Sequence, residues 1–271
     1  PATTALAASG SNGSQPCPDR GNTIVMDGAL PRFAARLASG SPLTIVTIGS
    51  SSTAGAGASS PDRSYPSRLG VAMRGRHPGR RIEVLNAGVN GQEVPEMLAR
   101  LDRDVIAHDP DLVIWQFGSN SLLRQSPLDA LERGAREGIG RLQASGVEVV
   151  MMDLQHAPRI DRLAARDDVL AMMRRLHQST GAPLFHRYRL MKAWAMAMGP
   201  GYGAMVASDQ LHLTDASYGC LASALADGLE TAMAASAPAV IARTQEDQPG
   251  VSTRSTSNIT MSARVPLSQP R

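Results

Sequence analysis

The sequence predicts an α/β fold: a three-layer α/β/α sandwich around a parallel, five-stranded sheet. Short β-branched apolar runs alternate with longer amphipathic stretches, which is the pattern of parallel strands joined by crossover helices. Of the 271 residues, 42% are apolar and 19% are charged, so the chain can bury a core and is not globally disordered. No segment repeats at a fixed period, which excludes solenoids and propellers.

Five apolar runs have the length and composition of buried strands. They are Leu43–Ile48, Ile82–Leu85, Leu112–Gln116, Val147–Asp153 and Pro183–Phe185. The amphipathic stretches predict helices at Tyr65–Arg74, Glu93–Ala107, Pro127–Ala144, Asp167–Ser179, Tyr188–Met198 and Thr214–Met233. Ligands of open parallel sheets bind beyond the carboxyl ends of the strands, so the residues just after each strand are candidates for chemistry.

The last predicted helix has a clear start and a clear buried face. Thr214 and Asp215 are residue types that cap helix N-termini. Tyr218, Leu221 and Leu225 recur on one face, which we expect to pack on the sheet. The tryptophans Trp115 and Trp194 fall in a predicted strand and a predicted helix and are expected in the core.

The two ends of the chain differ in composition from its middle. Residues 1–40 are rich in Ala, Ser, Gly and Pro, and residues 243–271 are polar with little apolar periodicity. We therefore predict an N-terminal extension at 1–40, one α/β domain at 41–242 and a disordered tail at 243–271.

The charge pattern favours neither a nucleic-acid partner nor a membrane segment. The net charge is +3, and all but one of the 27 basic residues are arginine, the exception being Lys192. This bias is compositional, and the densest basic stretch, Arg68–Arg81, is typical of the solvated end of a helix. No apolar run approaches the ~18 residues that span a bilayer. The sequence is silent on oligomeric state.

Two cysteines bear on the cellular compartment. Cys17 and Cys220 match neither a zinc motif nor a redox motif, so one disulfide bond and two unrelated buried thiols both stay open. The chain begins at Pro1, and Ala5-Leu6-Ala7 has the small-x-small composition of a signal cleavage region. We expect a periplasmic or secreted protein, with a cytoplasmic location left open.

The first predicted strand ends in a turn rich in Ser and Gly, GSSSTAG at residues 49–55. A serine at a sharp strand exit can present its hydroxyl to a cleft and its N–H to a developing oxyanion. The turn lacks the Gly-Lys-Ser/Thr ending of a P-loop, and its glycines fit a dinucleotide-binding turn poorly. Taken alone, such a segment is more often only a turn.

The next two strands also end in residues that suit an oxyanion hole. NAGVNG follows the second strand at 86–91, and GSN follows the third at 118–120. A glycine N–H and an asparagine amide are neutral hydrogen-bond donors. Each block is weak evidence alone, but three consecutive strand ends of this kind indicate a site.

A fourth block, DQLH at residues 209–212, precedes the last predicted helix. A carboxylate three residues ahead of a histidine can accept a hydrogen bond from one ring nitrogen and leave the other to take a serine proton. The remaining histidines, which are His77, His108, His156, His177 and His186, lack ligand spacing, so we predict no metal or cofactor. Of these, His156 could line the cleft with Gln155, but an ordinary loop histidine is the favoured interpretation.

In this order and spacing, the four blocks resemble those of the SGNH/GDSL hydrolase superfamily, in its GSSST form. The resemblance covers Leu43 to Ala235 and implies a flavodoxin-like SGNH hydrolase fold and metal-free hydrolysis of esters or thioesters. The site residues it implies are the nucleophile Ser51, the orienter Asp209, the base His212 and the oxyanion donors Ser51, Gly91 and Asn120. Ser50 and Ser121 stand where the family usually has Asp, which puts loop rigidity and substrate range in question.

We therefore expect a serine esterase acting on short, acetyl-like esters of a carbohydrate or polysaccharide carrier, through an acyl-enzyme on Ser51. Aromatic residues are 3% of the chain, and the loops Leu122–Ser126 and Pro200–Ser208 are too mixed in polarity for a lipid trough. The alternatives are a lysophospholipase or thioesterase, an acyltransferase to a sugar hydroxyl, and a non-catalytic carbohydrate-binding module.

Overall fold

The sheet has six strands and is mixed, where the sequence predicts five parallel strands. A computed structural model describes residues 17–236. Its strands are β1 Met26–Asp27, β2 Leu43–Gly49, β3 Ile82–Gly88, β4 Leu112–Gln116, β5 Glu148–Met152 and β6 Leu184–Phe185. They lie in the order β1-β6-β5-β4-β2-β3, with β1 antiparallel to β6 and the other pairs parallel. The prediction missed β1 because two residues are too few to show strand periodicity.

Helices cover both faces of the sheet. They are α1 Pro31–Ala38, α2 Ser51–Ala54, α3 Tyr65–Arg76, α4 Val94–Ala99, α5 Leu101–Asp104, α6 Ser119–Arg124, α7 Leu128–Ala144, α8 Pro158–Asp161, α9 Arg166–Thr180, α10 Arg187–Met198 and α11 Asp215–Ala234. Short 3-10 helices occur at Pro61–Arg63, Ile106–His108 and Gly199–Met205.

Apolar residues of the strands alternate between two cores, one on each side of the sheet. Ile45 of β2 packs in the core formed with α1, α3, α10 and α11, and Val46 packs in the core formed with α4, α7 and α9. Trp115 and Trp194 are fully buried, as predicted. Helix α7 lies so close to the sheet that a Cβ on Gly138 would stand 2.2 Å from the Trp115 ring. The α/β/α sandwich is confirmed.

The predicted helix Glu93–Ala107 is divided into α4, α5 and the 3-10 helix at Ile106–His108. The break lies at Arg100, whose backbone leaves helical geometry at φ −115° and ψ 5°. Its buried guanidinium donates hydrogen bonds to Gln92 (2.7 Å), Asp104 (3.2 Å) and the Gly49 carbonyl (3.4 Å). Arg100 thus leaves the helical conformation and binds these three groups, and its bond to the Gly49 carbonyl connects α4 and α5 to the end of β2.

The described part of the predicted N-terminal extension packs on the sheet. Residues 17–40 include β1 and α1, and the N–H groups of Arg32 and Phe33 in α1 donate to the Glu148 carboxylate of β5 at 3.2 and 2.7 Å. Cys17 and Cys220 are joined by a disulfide bond, which settles the alternative left open by the sequence. The domain limits 41–242 stay a prediction, and the tail predicted at 243–271 lies outside the described residues.

Helix α11 packs on the sheet as predicted, but its start differs from the expected cap. Thr214 occupies the N-cap position without a side-chain capping bond, and its hydroxyl donates to the Ala204 carbonyl at 2.9 Å. The Asp215 carboxylate accepts from the backbone N–H and hydroxyl of Ser59 at 2.8 and 2.5 Å. Both polar side chains therefore fasten neighbouring loops to the helix. Between residues 17 and 236, no helix combines the length and apolarity needed to cross a membrane.

Candidate active site

The predicted nucleophile, base and orienter lie within hydrogen-bond reach of one another. Ser51 is the first residue of α2, directly beyond β2, and its Oγ lies 2.8 Å from Nε2 of His212. On the other side of the ring, Nδ1 of His212 is hydrogen-bonded to Oδ2 of Asp209. A carboxylate can only accept, so Nδ1 carries the proton and Nε2 is left to accept from the Ser51 hydroxyl.

A tight turn holds Asp209 against the histidine. The Asp209 Oδ1 atom accepts from the backbone N–H groups of Leu211 and His212, both at 3.0 Å. Gln210, between them, adopts a left-handed φ of 60°. Burial opposes ionisation of Asp209, but the hydrogen bonds from His212 and Leu211 outweigh it and hold the pKa of the carboxyl below its ordinary value. Asp209 is therefore anionic at neutral pH.

The turn that carries Ser51 is fixed from below by a glutamine. Gln116, the last residue of β4, accepts hydrogen bonds at its Oε1 from the Ser50 N–H (3.1 Å), the Ser50 hydroxyl (3.1 Å) and the Thr53 hydroxyl (3.2 Å). The hydroxyl of Ser50 is thus bound by Gln116, and the hydroxyl that contacts His212 is that of Ser51. Gly88 lets β3 approach this turn, because a Cβ there would stand 2.2 Å from the Ala54 nitrogen.

The predicted oxyanion donors line the same cleft as Ser51 and His212. The Ser51 N–H is the first of α2, so it has no acceptor within the helix. Gly91 follows β3 with a φ of 76°, a conformation that favours glycine. Asn120, on α6 beyond β4, donates one Nδ2 hydrogen to the Gln92 carbonyl at 2.8 Å, and its second Nδ2 hydrogen is available to a substrate oxygen. These donors come from three adjacent strand ends, which is where the topology brings them together.

The cleft has a volume of about 390 Å³, and its lining is mixed in polarity. Besides the residues above, its walls include Asn90, Leu123, Arg124, Arg159 and Leu211. Of the two loops that the sequence predicts to be too mixed in polarity for a lipid trough, Leu122–Ser126 contributes Leu123 and Arg124 to the cleft, whereas no residue of Pro200–Ser208 lines it. In the second loop, Met205 is buried and Tyr202 is partly buried against the core. Between residues 17 and 236, no group of three or more His, Cys, Asp or Glu side chains could hold a metal ion.

A buried network beneath the site joins two of its loops. Gln155, beyond β5, accepts hydrogen bonds at Oε1 from the Ser119 hydroxyl (2.7 Å) and the Arg187 guanidinium (2.8 Å), and its Nε2 donates to the Leu211 carbonyl (3.5 Å). Arg187 is fully buried, and burial lowers the pKa of its guanidinium. Ser119 precedes Asn120 and Leu211 precedes His212, so one glutamine contacts the oxyanion loop and the base loop together.

The structure brings the five predicted residues of the motifs into one site. Gln116 was not predicted, and Gln155 was considered only as a cleft residue beside His156. Gln116 and Gln155 carry one signal that could have found them: each is a polar residue at or just after the carboxyl end of a buried strand. The cleft role considered for His156 is not seen, because its ring packs against Tyr188 and Tyr202 at centroid distances of 5.3 and 5.4 Å, away from the cleft lining.

Known proteins share this fold. A two-domain esterase active on acetylated mannans superimposes with a TM-score of 0.66 at 20% identity over 78% of this chain and 56% of its own. A variant of an acetyl xylan esterase from Geobacillus stearothermophilus gives 0.60 at 22% identity over 70% and 95%, and a lipase/acylhydrolase from Enterococcus faecalis gives 0.60 at 19% over 70% and 96%. At these identities the likeness establishes the fold.

Relatedness in sequence is more direct. An arylesterase of Vibrio mimicus is 32% identical over 97 residues, which are 36% of this chain and 48% of that protein. The chain thus spans about half the length of that relative. A family model matches a far longer stretch, residues 16–235, including all four motif blocks. The chain belongs to the non-GDSL lipase-like family.

Proposed function

We propose that this chain is a serine esterase that hydrolyses short acyl esters, acetyl-like in size, on a carbohydrate or polysaccharide carrier. The observation that carries the proposal is the hydrogen-bonded series Ser51–His212–Asp209 at the edge of a cleft that also holds Gly91 and Asn120. A nucleophile, a base with a fixed tautomer and unpaired neutral donors are what acyl transfer to serine needs.

In the first half of the reaction, Ser51 is acylated. Its Oγ attacks the ester carbonyl carbon while Nε2 of His212 takes the hydroxyl proton. The carbonyl electron pair moves onto oxygen, where the N–H groups of Ser51 and Gly91 and the Asn120 amide stabilise the charge. When this intermediate collapses, the carrier oxygen leaves with the proton from His212, and Asp209 stabilises the imidazolium in between.

In the second half, water replaces the carrier. Nε2 of His212 takes a proton from water as its oxygen attacks the acyl carbon, and the same donors hold the second oxyanion. Collapse breaks the bond to Ser51 Oγ, which recovers its proton from His212. The products are a short carboxylic acid and the regenerated enzyme.

Two observations support a small acyl group on a glycan. Among the described residues that line the cleft, only Ala56, Leu123 and Leu211 have apolar side chains, which suits a short acyl group better than a long one. Structural relatives include esterases whose described substrates are acetylated mannans and xylan. The Cys17–Cys220 bond supports the further proposal that the protein works in the periplasm or outside the cell, where disulfides persist.

One observation favours a second candidate, an esterase acting on lipid acyl chains. A cavity of about 420 Å³ lies against the face of α6 turned away from the cleft, and Leu122, Leu128, Leu131, Leu163 and Val169 make its lining mostly apolar. Its residues Ser121 and Leu122 alternate along α6 with the cleft residues Asn120 and Leu123. An acyl chain that reached this cavity would have to pass the helix.

Turnover of p-nitrophenyl esters from acetate to palmitate separates these functions. We expect kcat/KM to peak between acetate and butyrate and to fall at least about tenfold by octanoate, since a longer chain would cover the Arg and Asn side chains of the cleft and remove their water without replacing its hydrogen bonds. A profile that rises beyond octanoate would favour the lipid candidate. If no ester is hydrolysed, the result would favour a non-catalytic carbohydrate-binding module. If an added sugar is acetylated faster than the ester is hydrolysed, the protein is an acyltransferase.

The nucleophile is tested by substitution in the same turn. Ser51→Ala should abolish turnover. In the unsubstituted protein, mass spectrometry should show that an organophosphonate adds once, at Ser51. Ser52→Ala is the matched control, because it removes a hydroxyl one residue further along the same helix. Labelling at Ser50 or Ser52 would contradict the assignment.

A further inference from the structure

The catalytic cleft has a one-sided charge. Among the described residues that line it, Arg124 and Arg159 are the guanidinium groups and none is Asp or Glu. Asp209 lies behind His212 and is engaged by that ring and by two backbone N–H groups. A substrate entering this cleft therefore meets positive charge around the nucleophile.

Arg124 directs part of its guanidinium toward the oxyanion hole. Its Nη1 donates to the Glu93 carboxylate at 2.9 Å, and its side chain is half exposed. Its Nη2 lies 3.6 Å from the place that a Cβ on Gly91 would occupy. Burial opposes ionisation of Glu93, but hydrogen bonds from Ser126, Arg124 and Ser121 outweigh it and hold the pKa of this carboxyl below its ordinary value. Glu93 thus fixes one edge of Arg124 while the other edge stays available.

Arg159 lines the same cleft and is tied to the base loop. It lies in α8, is exposed, and its backbone N–H donates to the Gln210 carbonyl at 3.1 Å, two residues before His212. Within residues 17–236, its guanidinium forms no ion pair. The nearby Arg162 and Arg166 are instead bound to Gln210 and to Asp167.

The lining also lacks the surface that neutral sugars commonly use. The face of a pyranose ring packs on an aromatic side chain, and among the residues the structure describes no Phe, Tyr or Trp lines this cleft. The two tyrosines near α8, Tyr188 and Tyr202, are engaged in packing with His156. A guanidinium offers a different kind of recognition, because it donates two parallel N–H bonds to a planar carboxylate.

We propose that the carrier of the ester is an anionic glycan, an acylated uronic acid polymer whose carboxylate is bound by Arg159 and Arg124 while the ester lies at Ser51. This inference rests on the proposed esterase function and specifies its substrate class.

The first test compares substrates of matched length and degree of acetylation. Acetylated galacturonate oligosaccharides should be hydrolysed with at least about tenfold higher kcat/KM than acetylated xylo- or manno-oligosaccharides at low salt. Because both guanidiniums face solvent, NaCl should erode this preference as the Debye length falls from ~10 Å at 0.1 M to ~3 Å at 1 M. Equal or better hydrolysis of the neutral oligosaccharides would overturn the proposal.

The second test is the ratio of uronate to neutral kcat/KM in variants, which cancels general losses of activity. Arg159→Gln should lower that ratio about tenfold, and Arg159→Lys, which keeps the charge without the fork, should lower it less. The matched control is Arg133→Gln, an exposed arginine of α7 paired with Asp129 outside the cleft, which should leave the ratio unchanged. A ratio that survives Arg159→Gln would contradict the assignment.

Two further measurements separate the possible failures. Calorimetry of the Ser51→Ala variant with a non-acetylated galacturonate oligosaccharide reports anion binding without turnover, so it stays informative even if no ester is hydrolysed. Binding there that is abolished by Arg159→Gln supports the subsite, and no binding overturns it. An acetylated sugar 6-phosphate distinguishes the anions, since a preference for it over the uronate would overturn the carboxylate assignment.

Discussion

At the scale of single residues, Asn120 shows how one hydrogen bond can orient an amide and leave its second hydrogen free to donate. One hydrogen of its amide is taken by the Gln92 carbonyl at 2.8 Å, which fixes the plane of the group. The second hydrogen stays available in the cleft beside Ser51. A donor fixed in advance costs no reorganisation when charge develops on the carbonyl oxygen, so its contribution falls mainly on the transition state.

Asn120→Ala should therefore lower kcat about 10²–10³-fold on p-nitrophenyl acetate, with little change in KM. Asn90→Ala, which removes another amide from the same cleft, should lower kcat much less. A loss confined to KM would mean that Asn120 binds the ground state instead. Steady-state kinetics with protein of unchanged circular dichroism makes this distinction.

The residues that sequence analysis could predict are those fixed by local chain geometry. Ser51, Gly91 and Asn120 each lie within four residues of a strand end, and Asp209 and His212 share one turn, so spacing along the chain carries the signal. Arg159 and Gln155 become significant only through what lies near them in space. No spacing along a single sequence encodes the contact of Gln155 with Leu211, 56 positions away.

At the scale of elements, the predicted strands and long helices agree with the structure to within a few residues, except for the predicted helix Glu93–Ala107, which is divided. The short elements were missed. Helices α2 and α6 have four and six residues, which is about one to two turns and too short for a 3.6-residue pattern. Both begin at strand ends, so the elements hardest to predict are the ones that hold the candidate catalytic groups. Their geometry depends on contacts from other elements.

Gln155 is the clearest such contact, and we predict that it positions the base loop. Gln155→Glu keeps both accepted hydrogen bonds and the buried Arg187 partner but removes the donor to the Leu211 carbonyl. We expect kcat to fall about tenfold, with the rate of phosphonate addition to Ser51 falling in parallel because His212 is displaced. KM should change little.

The matched control is Gln143→Glu, which also removes an amide donor to a backbone carbonyl, that of Thr180 at 3.1 Å, but far along the sequence from the motif blocks. It should leave kcat unchanged. Equal losses in both variants, or a loss of folding stability without a loss in kcat per folded molecule, would assign Gln155 a structural role only.

At the scale of the whole molecule, the N-terminal segment is fastened to α11 at several points. Cys17 is bonded to Cys220, and Arg20 forms an ion pair with Asp227 at 3.3 Å. Further along the segment, the Leu30 N–H donates to the Ser236 hydroxyl at 3.1 Å, at the other end of the helix. Because α11 begins three residues after His212, this segment braces the helix that follows the base loop.

Breaking the disulfide should cost stability and spare catalysis. The bond joins residues separated by 203 positions, and loss of such a cross-link is expected to lower the free energy of unfolding by about 2–4 kcal/mol, or Tm by about 5–15 °C. Cys17→Ser is the cleaner variant, since Cys17 is exposed whereas Cys220 lies in the core of α11. His212 keeps its bonds to Ser51 and Asp209, so kcat at 25 °C should be unchanged.

Calorimetry with and without dithiothreitol provides the control: the reductant should lower the Tm of the native protein to that of Cys17→Ser and leave the variant unaffected. A native Tm indifferent to reductant, with two free thiols by mass spectrometry, would contradict the bridge and remove the support it gives to an oxidising compartment.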